Sequence, residues 1–132
     1  MRIAKLLVAT LFAAAAGIAS ATEWVLVTQD EREIVYVDLD SIHQEGKLKK
    51  AWLLRNYSEI QTLGDSFPHR SKLILYVFRC DVAEAGYSQW SFHSGELGSG
   101  RTIWAGKTGD IPFIGAAKDP ALDHALKEVC SS

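Results

Sequence analysis

Residues 71–80, SKLILYVFRC, decide the fold expected of this chain of 132 residues. Successive side chains of a β-strand point to opposite faces, so this run would be apolar on both sides. One face would carry Ile74, Tyr76, Phe78 and Cys80, and the other Leu73, Leu75, Val77 and Arg79. A strand that is apolar on both faces usually lies inside a sheet with both sides covered. The segment therefore predicts a central strand.

The N-terminal segment has the three parts of a signal peptide. Arg2 and Lys5 give a positive region, residues 6–16 are apolar and rich in alanine, and Ala19-Ser20-Ala21 forms a cleavage site. The apolar run is shorter than the roughly 20 residues that span a bilayer. We therefore predict removal of residues 1–21 and a single domain over residues 22–132. Because no cysteine follows the apolar run, we expect an exported chain without a lipid anchor, in the periplasm or at the cell surface.

The charge of the exported chain argues against nucleic acid as a partner. Removing Arg2 and Lys5 leaves 12 Lys and Arg against 16 Asp and Glu, a net charge of −4. Binding to phosphates requires a clustered positive field, which a mildly acidic domain does not provide.

The two cysteines predict a disulfide. Cys80 and Cys130 are the only cysteines in the sequence, and paired cysteines are typical of exported proteins. A bond between them would close a loop of about 50 residues and restrict the unfolded chain by roughly 4 kcal/mol at most. It would tie the strand at residues 71–80 to the C-terminal segment.

Five other segments have the composition of β-strands. They are residues 23–29 (EWVLVTQ), 33–39 (EIVYVDL), 48–57 (LKKAWLLRNY), 87–94 (YSQWSFHS) and 101–105 (RTIWA). For residues 48–57 a helix is the alternative, since Lys, Ala and Leu favour it. Residues 58–70 contain Gly64 and Pro68 and are expected to form a polar loop, while residues 106–118 have no clear period.

A helix is predicted from residue 120 onward. Asp119 is a favoured N-cap and Pro120 a favoured first residue. One stripe of this helix would carry Leu122, Ala125, Leu126, Val129 and Cys130. The stripe must dock on the sheet, so the disulfide would join helix to strand. The predicted fold is therefore α+β: an antiparallel sheet of five or six strands with one C-terminal helix packed on it.

Motifs for catalysis, cofactors and metals are missing, so we predict a protein that is not an enzyme. The scattered histidines, His43, His69, His93 and His124, have no metal-ligand spacing and are expected on the surface. Asp38 and Asp40 could bind calcium or serve as an acid/base pair, but Asp in such a turn more often accepts hydrogen bonds from nearby backbone amides. The segment around Ser88 departs from a nucleophile elbow because Trp90 stands where Gly is required.

Two groups of residues are candidates for a binding surface. The basic group contains Lys47, Lys49 and Lys50 at one strand and His69, Arg70 and Lys72 at another. These clusters would lie at opposite ends of an antiparallel pair and would merge in a parallel one; protection of an edge strand is the alternative explanation. Most Trp and Tyr residues are expected in the core, with Trp90 and Trp104 as the likeliest binding aromatics.

The residues in order resemble the surface-adhesin protein E family of Gram-negative bacteria. The matching features are Trp24, Val35-Tyr-Val-Asp38 followed by Ser41-Ile42, Trp52 with Asn56-Tyr57, Ser71 before Cys80, and Cys130. The resemblance implies a small sheet-and-helix fold, an envelope or secreted location, and binding to host matrix or serum proteins. The adhesive members carry a lipid-bearing cysteine, and this chain lacks it.

Two functions from different classes follow. The first is an exported domain that binds another protein, through the basic strand ends or the turn at residues 95–100. The alternative is a periplasmic structural or stress-related domain. An uncovered edge strand would also allow a dimer.

Overall fold

The computed structural model describes residues 23–132. The predicted signal peptide, residues 1–21, lies outside the described residues. No helix within residues 23–132 is long and apolar enough to cross a membrane.

The described chain contains eight strands and one α-helix. The strands are β1 (Val25–Gln29), β2 (Glu33–Val37), β3 (His43–Glu45), β4 (Leu48–Leu63), β5 (Ser66–Arg79), β6 (Glu84–His93), β7 (Thr102–Lys107) and β8 (Ile114–Gly115). The helix, α1, spans Pro120–Cys130, and short 3-10 turns occupy Leu39–Ser41, Glu96–Gly98 and Ala116–Lys118. The strand prediction for residues 48–57 is confirmed, and the helix alternative is wrong.

All strands belong to one antiparallel sheet in the order β1-β2-β4-β5-β6-β7. The two shortest strands lie off this path, with β3 paired to β4 and β8 paired to β6. β5 therefore lies inside the sheet, as its double-sided apolar pattern predicts. The six strands of the main path correspond to the six expected from the sequence; β3 and β8 are additional.

The prediction of a polar loop at residues 58–70 is wrong. β4 continues to Leu63 and β5 begins at Ser66, so the two strands form a long hairpin with Gly64 and Asp65 at its tip. Gly64 has a φ of +63°, a conformation that glycine adopts without steric cost. The pairing register shifts twice between Asn56 and Leu63. These bulges interrupt the alternation of polar and apolar residues, which is why the sequence reads as a loop.

The main core lies between the sheet and α1. Its buried side chains from the helix are Ala121, Leu122, Ala125, Leu126 and Val129. The strands contribute Val35, Val37, Leu53, Ile74, Tyr76 and Phe78. Asp119 caps the helix, since its Oδ1 accepts a hydrogen bond from the Ala121 backbone N–H at 3.0 Å. The predicted N-cap and the predicted apolar stripe are both confirmed.

A disulfide joins Cys80 to Cys130, with Cα atoms 5.7 Å apart. It links the C-terminal end of β5 to the last residue of α1, as the sequence predicts. Lys49 strengthens the same junction because its ammonium donates to the carbonyl oxygens of Val129 and Ser132, at 3.3 and 2.7 Å. A cation at the C-terminal end of a helix is favourable because the last carbonyls are negative.

The opposite face of the sheet is covered by loop segments. Val77 is fully buried there. A Cβ at its pairing partner Gly86 would lie 2.6 Å from the Ile111 Cγ2 and 3.0 Å from the Pro112 carbonyl oxygen. Glycine at position 86 thus lets the segment preceding β8 pack directly on the sheet. Both faces of β5 are covered, as predicted for a central strand.

Candidate binding groove

The distal part of the long hairpin, residues 58–70, is here called the hairpin arm. It bends over the side of the sheet that carries α1, and the ring of Phe67 stacks on Trp104 with centroids 5.0 Å apart. Phe67 has a φ of +57°, in the left-handed region that non-glycine residues rarely adopt. Such strain often marks a functional site. Here it places an aromatic ring of the arm against β7.

The arm and the sheet enclose a groove beside α1, which we call the aromatic groove. Its volume is about 470 Å³. The residues that line it are Leu63, Lys72, Ile74, Tyr76, Tyr87, Trp90, Phe92 and Trp104. The size is within the range of about 300–1,000 Å³ typical of ligand sites, which are mostly apolar with a few polar groups. Ile74 and Tyr76 also belong to the core beneath the helix, so groove and core are continuous.

The aromatic walls of the groove support one another. Trp90 packs edge-on against Trp104 and against Tyr87, with centroids 5.6 and 5.5 Å apart. Trp104 also meets Phe92 edge-on at 5.1 Å. Gly106 makes room for this arrangement, because a Cβ there would lie 2.6 Å from the Trp90 Cζ2. These contacts hold the wall rings in fixed orientations.

Lys72 is the one charged side chain that lines the aromatic groove. Its ammonium lies 4.9 Å from the centre of the Phe92 ring and 5.5 Å from that of Tyr57. Cations over aromatic faces at this distance are attracted by the ring electrons. Burial lowers the pKa of Lys72, and the nearby Arg55 guanidinium lowers it further. Within residues 23–132, Lys72 forms no ion pair with a carboxylate.

Arg55 holds the groove wall and the helix start in place. Its side chain is 8% exposed, and its guanidinium donates to Glu33, to Asp119 at 2.8 Å and to the Tyr76 hydroxyl at 3.3 Å. The carboxylates and Tyr76 keep the pKa of Arg55 raised against the opposing effect of burial. Burial has the opposite effect on the phenol and raises the pKa of Tyr76. The network ties β2, β4, β5 and α1 together at the base of the groove.

Two histidines expected on the surface are buried, which corrects that prediction. His69 is 1% exposed and His93 is 8% exposed. His69 belongs to the hairpin arm and points inward, with its Nδ1 2.6 Å from the Phe67 carbonyl oxygen and its ring 4.4 Å from that of Phe92. Its Nε2 and the Trp90 Nε1 have no hydrogen-bond partner among the described residues. Burial lowers the pKa of both histidines.

The basic candidates separate into two ends of the β4–β5 pair, because the strands are antiparallel. Lys47 is exposed in the turn before β4, Lys49 binds the end of α1, and Lys50 lies 3.1 Å from Glu45. At the other end Arg70 donates to the backbone oxygens of Tyr57 and Ser58. Lys72 and Trp90 are brought together in the aromatic groove, whereas Lys47, Lys49 and Lys50 lie at the opposite end of the sheet.

Sequence reasoning missed the other groove residues. Leu63 falls in the segment read as a loop, and Tyr87 and Phe92 look like ordinary strand positions. The alternation of Trp90 with Phe92 in one predicted strand, with Trp104 in the next, is the one signal that could have indicated an aromatic surface.

A second cavity of about 450 Å³ lies near the β1–β2 turn. It is polar, and its lining is Asp30, Arg32, Glu33, Tyr57, Ser58, Glu59 and Gln61. Asp30 accepts hydrogen bonds from the backbone of Glu33 and Arg32, which lowers its pKa.

Within residues 23–132, no three His, Cys, Asp or Glu side chains form a group that could hold a metal ion. Asp38, predicted to bond to local amides, accepts from the Asp40 N–H at 3.0 Å.

Comparisons with known proteins agree with this architecture. The model of the family described as surface-adhesin protein E matches residues 24–131. A structure of Haemophilus influenzae protein E shares 16% identity and a TM-score of 0.60, covering 86% of this chain and 90% of that one. A structure of crystal form II of the same protein shares 14% identity and a TM-score of 0.58, covering 85% of this chain and 97% of that one. The structure of protein E from non-typeable Haemophilus influenzae shares 13% identity and a TM-score of 0.57, covering 85% of this chain and 78% of that one. A comparison with curated proteins gave no match.

Proposed function

This chain belongs to the surface-adhesin protein E family, and from that premise we propose that it is an exported, non-enzymatic domain that binds another protein. An adhesin-like surface protein is what the family supports. The finer proposal is that the partner is a host matrix or serum protein and that the aromatic groove makes the contact.

The observation that carries the proposal is the aromatic groove. Protein interfaces draw most of their affinity from a few aromatic and charged anchors in water-excluding pockets. Trp90, Trp104 and Tyr87 line the groove, and Tyr87 is 43% exposed although it lies on the same side as the core. Exposed apolar residues at its rim add to the contact area, since Leu63 is 42% and Phe67 38% exposed.

The groove is also a pre-formed site. Its floor belongs to the core under α1, and the aromatic rings pack on one another across β6 and β7. A partner therefore meets side chains that need little ordering on binding, which lowers the entropic cost of association.

Binding to immobilised serum and basement-membrane extract, with periplasmic extract in parallel, tests the proposal. We expect retention of a host protein and a large loss of retention in Tyr87→Ser. Val82→Ser is the matched control, because Val82 is 57% exposed but lies in the β5–β6 turn. Retention of periplasmic proteins alone would support the alternative, a periplasmic structural or stress-related domain. Equal loss in both variants would contradict the groove as the contact site.

A further inference from the structure

We propose that the aromatic groove recognises an acidic, apolar peptide segment of the partner, in which an aromatic or aliphatic side chain lies next to a carboxylate. This inference rests on the proposed protein-binding function and adds the chemistry of the segment that binds. The side chain would pack against the exposed surfaces of Trp90 and Trp104, and the carboxylate would pair with Lys72.

The charge at the groove is the first reason. Lys72 pairs directly with Phe92 across the β5–β6 ladder, so its side chain is held on the groove side of the sheet. Its ammonium has aromatic rings rather than a carboxylate as neighbours within residues 23–132. A partly desolvated cation with no direct ion pair among residues 23–132 is complementary to an anion, and a charge-assisted hydrogen bond is stronger there than in water.

The wall of the groove is the second reason. Apart from Lys72 and the tyrosine hydroxyls, the lining side chains are hydrocarbon or indole. A free carboxylate or phosphate would use only the lysine and leave these rings in contact with water. A ligand that fills the site therefore needs an apolar group adjacent to its negative charge.

The charges around the groove favour a ligand with one carboxylate over a polyanion. The exported chain carries a net charge of −4, so long-range forces do not attract acidic proteins. Lys72 is the single positive group in the groove, and Arg55 behind Tyr76 is already neutralised by Glu33 and Asp119. One well-placed carboxylate next to an apolar residue fits this pattern, and a polyanion does not.

Fluorescence anisotropy with a labelled peptide of sequence GSDFDLGS tests the inference. We expect saturable binding that is about tenfold weaker for Lys72→Met, because the variant keeps most of the apolar length of the side chain and loses the charge pair. Lys47→Met is the matched control and should bind as the wild type does, since Lys47 is exposed at the far end of the sheet. Tyr87→Ser provides a second variant at an exposed groove position.

Two further peptides separate the charge from the apolar group. GSKFKLGS keeps the apolar residues with the opposite charge, and GSDSDSGS keeps the charge without them. Both should bind much more weakly than GSDFDLGS. Equal binding of either peptide, or unchanged affinity in Lys72→Met, would overturn the inference. Shifts of the Trp90 and Trp104 indole N–H signals in NMR spectra would locate the peptide, and shifts elsewhere alone would also overturn it.

The two proposals fail in different ways. If a host protein is retained through the groove but GSDFDLGS does not bind, the adhesive function stands and the peptide chemistry is wrong. If the peptide binds at the groove and no host protein is retained, the peptide chemistry stands and the adhesive function is wrong.

Discussion

Arg55 shows how one side chain can join a site to its scaffold. It is buried, and its guanidinium contacts two carboxylates and the hydroxyl of Tyr76, a groove residue. Removing one partner of a buried charge network leaves the remaining charges without compensation. Arg55 therefore links the residue that caps the helix, the inner strands and the groove wall.

We predict that Arg55→Ala lowers the free energy of unfolding by about 3 kcal/mol, because Glu33 and Asp119 lose their counter-ion. Urea unfolding followed by tryptophan fluorescence measures the change. Asp119→Asn is the matched variant, since Asn is an equally good N-cap and only the charge pair is lost. A loss as large in Asp119→Asn as in Arg55→Ala would contradict a role for the whole network.

His69 predicts a dependence of stability on pH. Burial and the neighbouring Lys72 lower its pKa in the folded state, while the unfolded value is about 6.5. Below a pH of about 6.5 the unfolded chain binds a proton at this histidine and the folded chain does not. The free energy of unfolding therefore falls as the pH drops below about 6.5, and this decline ends below the folded-state pKa. Tm measured across this range should decline less in His69→Gln.

The same experiment needs two comparisons. The pKa of His93 is also lowered by burial, so His93→Gln should reduce the decline as well. His124 is exposed on α1, and His124→Gln is the comparison variant at a histidine outside the core. A wild-type profile that is flat between neutral and mildly acidic pH would exclude both buried histidines as its cause.

At the scale of elements, α1 and β5 form a single covalently linked unit. The bond between Cys80 and Cys130 joins the end of one to the end of the other across 50 residues of sequence. Closing a loop of that length restricts the unfolded chain, by about 4 kcal/mol in loop-entropy terms. The disulfide, Lys49 and the Asp119 cap secure both ends of the helix.

We predict that the double variant Cys80→Ala, Cys130→Ala loses about 4 kcal/mol of stability relative to the oxidised wild type. Urea midpoints with and without reductant measure it, and reductant should affect the wild type alone. Free thiols in the native protein, detected by alkylation and mass spectrometry, would contradict the bond.

The elements differ in how far the sequence could predict them. β5 and α1 were predictable because their patterns are regular: alternation over residues 71–79, and a cap followed by an apolar stripe. The hairpin arm was not, because two register shifts break the alternation that marks a strand. The groove was not either. Leu63, Lys72, Trp90 and Trp104 meet only through pairing between four strands, which no local pattern specifies.

At the scale of the whole molecule, the sheet formed by the described strands is open and has two edges. β1 forms one edge, and its Val25 and Leu26 are 37% and 53% exposed. β7 forms the other and ends in Lys107, a charge of the kind that discourages pairing with another chain. The edges are therefore unequal, and β1 is the one open to a second copy.

We predict that the chain forms a two-fold dimer through β1 at high concentration, since the backbone groups on its outer edge have no strand partner within residues 23–132 and can extend the sheet. Leu26→Lys should shift the equilibrium to monomer without unfolding the domain. Size-exclusion chromatography with light scattering, at low and high micromolar concentration, measures both. A wild type that stays monomeric at the highest concentration would contradict the prediction.

The placement of α1 has a mechanical consequence. The helix contacts β1, β4, β5 and β6, so it crosses most of the sheet rather than lying along one strand. Suppose that a mechanical force acts between β1 and a partner bound near β7. The force would be directed across the strands and would tend to separate them one after another. The disulfide-linked helix holds these strands together against such a force. Reducing the Cys80–Cys130 disulfide should therefore lower the force at which the sheet unfolds.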